Sequence, residues 1–193
     1  MKIKSGTLID ELIRITERNI QRAESLMQLS EEELNYRSTE NCWSALECIE
    51  HLNLYGHFYL PEINRVLKKS DSKAEPVFKS GLLGNYFANS MKPKATLNKM
   101  KTFKEMNPIG SDLDKSSIDE FSRQQRSTID LLSEARQKSL NRIKTSISIS
   151  RMLKLKLGDT FRFLIFHIER HLDQAERESR IKANSKGSMV KSN

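Results

Sequence analysis

Apolar residues recur at helical intervals along four stretches of the chain, and the remainder is mostly polar. Ile9, Leu12, Ile13, Ile20, Ala23 and Met27 predict a first helix over about 7–28, which Ser5 or Thr7 can cap. Ser30 and Glu33 have the spacing of a capping box and predict a short turn after it. Ser44 and Glu47 repeat that spacing and start a second helix, over about 44–69, with Trp43 placed to staple its entry. Its inward stripe reads Cys48, His51, Leu52, Tyr55, Tyr59, Ile63 and Val66, with Pro61 inside it predicting a kink. Ser117 and Glu120 predict a third helix, to about 145, carrying Phe121, Thr128, Leu132, Ala135, Leu140 and Ile143 on one face. From 146 to 157 the pattern changes to alternation, with Ile147, Ile149, Leu153, Leu155 and Leu157 between polar residues, which predicts extended chain. Gly158 breaks it, and Asp159 is placed to cap a fourth helix over about 160–180.

Four long amphipathic helices predict an all-α four-helix bundle. The connection between the second and third helices is long and irregular, with Pro76, Pro93, Pro108, Gly81, Gly84 and Gly110 in it. The bundle domain is expected over 1–182, and the polar stretch 183–193 is expected to be a disordered tail.

Charge changes this picture in one place. The formal net charge is +8, and residues 65–104 alone account for it, with ten Lys/Arg against Asp71 and Glu75. No nucleic-acid motif accompanies that segment, so it is read as a solvated connection with no specific nucleic-acid partner. No run is long and apolar enough to span a membrane, and the N-terminus lacks the apolar core of a secretory signal. Cys42 and Cys48 match no zinc or redox spacing and read as reduced thiols. A cytoplasmic protein with no membrane partner is the expectation.

Candidate chemistry rests on the four histidines, His51, His57, His167 and His171. His167 and His171 are four residues apart on a predicted helix, so their imidazoles share a face about 6 Å apart along the axis. His51 lies on the inward stripe of the second helix, whereas His57, six residues on, is turned away from it. Three inward histidines can be hydrogen-bonded core residues or ligands of one divalent metal, and both readings stand on the residues alone. Glu47, one turn before His51, can be a cap, a ligand or a support for the ligands. No Ser-His-Asp grouping, phosphate-cradling Gly loop or dinucleotide fingerprint is found, and the catalytic residues are not identified.

Trp43-Ser44-x-x-Glu47-x-x-x-His51-Leu52 resembles the second-helix signature of the DinB-like superfamily. Gly158-Asp159 through Phe166-His167-x-x-x-His171-x-x-Gln174-Ala175 resembles its last-helix signature. The resemblance implies a four-helix bundle in which His51, His167 and His171 bind one divalent metal, and a tendency to form homodimers. It also implies, as some relatives do, thiol-dependent transfer using a low-molecular-weight thiol and a small-molecule substrate. The leading expectation is therefore a divalent-metal-dependent enzyme of the thiol-dependent S-transferase type, with Zn, Ni, Fe or Mn all compatible. A metal-dependent hydrolase is a second expectation, and a non-catalytic metal-binding or dimerisation module in a stress response is a third.

Overall fold

In a computed structural model, four long helices pack as a closed ring around one core. The residues described are 1–92, 102–148 and 150–190, with the side chains of 150–151 and 182–190 excluded. The ring consists of α1 (Ser5–Leu26), α3 (Ala45–Lys69), α5 (Ser116–Ala135) and α6 (Leu157–Val190). Around it α1 packs on α5, α5 on α3, α3 on α6 and α6 on α1. The short α2 (Glu31–Leu34) precedes α3, and α4 (Leu82–Met91) packs on the outside of α6. Two small antiparallel sheets complete the fold. β1 (Lys2–Lys4) pairs with β2 (Val77–Lys79), and β3 (Lys144–Ile147) pairs with β4 (Ser150–Lys156). Among the described residues no helix is long and apolar enough to cross a membrane.

The all-α bundle expected from the sequence is present, with corrections at several helix ends. At α1 neither Ser5 nor Thr7 caps the helix through its side chain. Strand β1 feeds directly into it, so the Ser5 hydroxyl donates instead to the Glu75 carbonyl at 2.6 Å. Both expected capping boxes at Ser30 and Ser44 form. The third does not. α5 begins at Ser116, the Asp114 carboxylate takes the Ser116 amide at 2.8 Å, and Glu120 bonds Gln124 instead.

α5 also stops at Ala135, short of the expected 145. Leu140 and Ile143 are buried as their spacing predicts, but they enter the core from a turn. Ser139 and Asn141 fix that turn by donating to the Glu75 carboxylate. The alternation over 146–157 is realised in the β3–β4 hairpin, whose Thr145 and Leu155 form an inward pair. α6 starts at Leu157, before Asp159, and continues past the expected 180 to Val190. Most of the stretch expected as a disordered tail is therefore helical; its last three residues, together with Pro93, Lys94, Lys99, Lys101 and Ile149, lie outside the described residues.

Candidate metal centre

The Ser44–Glu47 capping box fixes where α3 starts. The Glu47 amide donates to Ser44 Oγ at 3.2 Å, and the Ser44 amide donates to Glu47 Oε2 at 2.8 Å. Counting from that start, His51 falls on the buried face, 2% exposed. Leu164, His167, Ile168, Leu172 and Ala175 make the buried stripe of α6, and His171 stands on its partly open edge. Packing α3 on α6 brings the three imidazoles together. One ring nitrogen from each of His51, His167 and His171 lies within 4.8 Å of the others, and His51 Nε2 is 3.2 Å from His167 Nε2.

The outer hydrogen bonds set which nitrogen faces inward. His51 Nδ1 is 2.6 Å from the Met106 carbonyl, which can only accept, so Nδ1 carries the proton and Nε2 offers a lone pair. His171 Nδ1 is 3.2 Å from Gln174 Oε1, with the same consequence. His167 differs, because its buried Nδ1 has no hydrogen-bond partner. In the protein alone His167 Nε2 must donate to His51 Nε2, which leaves a lone pair at Nδ1 buried and unmatched. An ion held by His51, His167 and His171 would relieve the contact between the facing nitrogens, since all three would then act as donors of electron pairs, while His167 Nδ1 would carry its proton without a partner.

Burial keeps all three rings neutral. It pushes the His51 pKa down to about 4, the bond to the Met106 carbonyl opposing the shift. It holds His167 and His171 well below the ordinary histidine range, with neighbouring positive charge adding to the effect. Neutral imidazole is the form that ligates a metal.

Aromatic rings wall the cluster. Trp43 lies 4.6 Å from His51 and 5.6 Å from His171 between ring centroids, and its Nε1 donates to Asn107 Oδ1 at 3.0 Å. Tyr55 is 4.5 Å from His167, and Phe163 stacks on the same ring.

Residues 15–175 match the DinB superfamily. The chain belongs to the DinB superfamily. The match takes in α3 and the histidine-bearing part of α6 in this DinB superfamily member, and its His51, His167 and His171 can hold a metal ion. No curated protein and no solved structure matches the chain.

The other candidates lie apart from the three rings. His57 is exposed, 3.7 Å from Glu120. Glu47 is buried, and its carboxylate accepts from Arg37, from the Ser44 amide and from the Gly110 amide at 2.6 Å. Those bonds place it as a cap and an anchor for the connection that carries Met106. Asp159 lies inside the first turn of α6, and its carboxylate pairs with Arg162 in the second turn.

Gln174, part of the last-helix motif, meets His171 from the i+3 position. Two groups around the rings were not foreseen. Asn107 and the Met106 carbonyl carried no spacing signal, because the long connection brings them in from far along the chain.

Proposed function

We infer that this DinB superfamily member is a divalent-metal-dependent enzyme that activates a low-molecular-weight thiol for transfer to a small-molecule substrate. The carrying observation is the ligand set: three neutral imidazoles, with no His, Cys, Asp or Glu completing a fourth among the described residues. The stretches outside the described residues hold none of those four residue types either. Structural sites are closed by four protein ligands, whereas three ligands with open positions suit catalysis. Neutral ligands also leave the full charge of a bound dication in place. Such an ion would act as a Lewis acid, lowering the pKa of a thiol or water beside it.

The residues around the triad favour a thiol over water. The carboxylate of Glu47, the acid one turn away, is saturated by Arg37 and two backbone amides, so it is not free to serve as a general base for water. A thiol, with an ordinary pKa near 8.5, loses its proton more readily without such a base. The Trp43, Tyr55 and Phe163 rings also suit a polarizable sulfur.

The test is cobalt substitution followed by titration with a small thiol. Sulfur-to-cobalt charge-transfer absorption is expected on adding the thiol, and none on adding its methyl thioether. Purified protein that takes up no stoichiometric metal ends the reading at its first step. Metal uptake without the thiol band transfers the assignment to the hydrolase reading.

A further inference from the structure

The outer surface formed by α4 and the β3–β4 hairpin combines two features that nothing in the metal centre uses. The first is protruding apolar side chains. Leu82 is 96% exposed, Tyr86 68% and Met152 93%. Leu82 and Tyr86 are one turn apart on α4, and β4 lies alongside α4. The second is concentrated positive charge. In the hairpin, Thr145 and Leu155 face the bundle, so the neighbouring pair Lys144 and Lys156 and the residue Lys154 face outward, as does Met152 two residues on. In the other sheet Phe78 is fully buried, so its neighbours Lys79 and the paired Lys2 face outward. The two sheets meet where Lys156 Nζ donates to the Lys79 carbonyl at 2.6 Å.

Two like-charge cross-strand pairs therefore sit next to each other, an arrangement that works against sheet stability. Among the described residues the ion pairs are made by arginines and His57, and no lysine enters one. Lysine at a sheet edge can block aggregation, but a fully protruding leucine and methionine beside it would undo that protection. Both features are accounted for together by a partner that is anionic and has an apolar interior.

We propose that this face docks on an anionic lipid bilayer, with Leu82, Tyr86 and Met152 seated in the headgroup region and Lys79, Lys154 and Lys156 against the lipid phosphates. A nucleic acid satisfies the lysines but offers its phosphate backbone to the leucine and methionine. A neutral protein surface satisfies only the apolar side chains. The docking needs no membrane-crossing helix, because the protein lies on the surface.

The test is sedimentation of the full chain with vesicles of phosphatidylcholine alone, or of phosphatidylcholine mixed with phosphatidylserine. Binding is expected to the mixed vesicles only, and to weaken as salt is raised. Each lysine near such a surface is worth roughly a fivefold change in affinity, so Lys79→Gln with Lys154→Gln should weaken binding by on the order of twentyfold. Leu82→Ser with Met152→Ser should weaken binding while leaving its salt dependence in place. All four positions are exposed, and unchanged thermal midpoints verify that the variants fold. Failure to bind the mixed vesicles overturns the proposal, as does equal binding to the neutral ones. Duplex DNA held more tightly than vesicles, and insensitive to the Leu82/Met152 changes, overturns it in favour of nucleic acid. A dimer that dissociates on Leu82→Ser overturns it in favour of a second copy of the chain.

Discussion

Helix α6 carries two buried polar clusters little more than a turn apart, and they are built on opposite principles. In the first, Arg162 and Asp159 are both almost fully buried and form an ion pair at 3.0 Å. Every other bond of that cluster closes inside the protein. Arg162 also donates to Ser80, Asn85 and Asn89, and the Asp159 carboxylate takes the Gly81 amide and the Ser80 hydroxyl. In the second, the histidines spend one nitrogen on an outer partner or on none, and turn the other toward one another. A cluster that saturates itself holds structure together, here pinning α4 to α6. A cluster whose ring nitrogens converge can hold a metal ion. Burial and polarity are shared by both, so the direction of the unshared electron pairs is what separates a latch from a site.

The largest expected effect breaks the latch. Removing one partner of a buried ion pair strands the other, at a cost of ~3–5 kcal/mol. Arg162→Leu should lower unfolding stability by about that amount, measured by denaturant titration of the metal-free protein. Asp159→Asn in the same chain should restore part of it, since the stranded charge is gone. The folded variant should still bind metal. An Arg162 variant of native stability that has lost its metal would move Arg162 into the site and erase the contrast.

The sequence showed the site more clearly than the latch, for a physical reason. His51, His167 and His171 lie on apolar stripes of period 3.6, and each stripe declares its own inward face. The capping boxes at Ser30 and Ser44 are local, and local chemistry is visible in a local pattern. The Ser117–Glu120 pattern misled because Asp114, just upstream, competes for the same helix start. Asp159 has the look of a cap, yet its partners Ser80 and Gly81 come from far along the chain. The end of α5 is hidden in the same way: Leu140 and Ile143 keep helical spacing, while the bonds that break the helix run from Ser139 and Asn141 to Glu75. What long connections bring together leaves no periodic trace.

The site should respond to pH. In metal-free protein the His51 pKa falls from its ordinary 6.5 to about 4 on folding. The unfolded chain therefore binds more protons between those values, so stability rises with pH there. The contribution is complete above about 6.5 and is lost as pH drops toward 4. For His51 alone it amounts to about 3 kcal/mol, with His167 and His171 shifted in the same direction. Denaturant midpoints measured across that range should show this slope, and His51→Gln should flatten it. Bound metal should steepen it, because protons compete with the ion for the same nitrogens. A profile as flat in the native protein as in His51→Gln would mean that the imidazole is not desolvated.

Glu47 gives the smallest effect and the sharpest comparison, because it sits one turn from His51 yet is built like the latch. Both its oxygens are occupied, by Arg37 at 2.5 and 2.8 Å and by the Ser44 and Gly110 amides. Glu47→Gln keeps the shape but turns an amide NH2 toward one of those donors and removes the charge opposite Arg37. Loss of charge-assisted hydrogen bonds of this kind costs about 2 kcal/mol. The Gly110 bond helps hold the connection that delivers the Met106 carbonyl to His51, so metal affinity should weaken modestly while stoichiometry stays at one ion. Elemental analysis of the purified variant, with its unfolding midpoint, separates the two roles. Metal retained with lowered stability keeps Glu47 with the latch as a self-saturated anchor. Complete loss of metal at native stability would place it among the ligands, and would mean that a carboxylate can be fully bonded within the protein and still belong to the site.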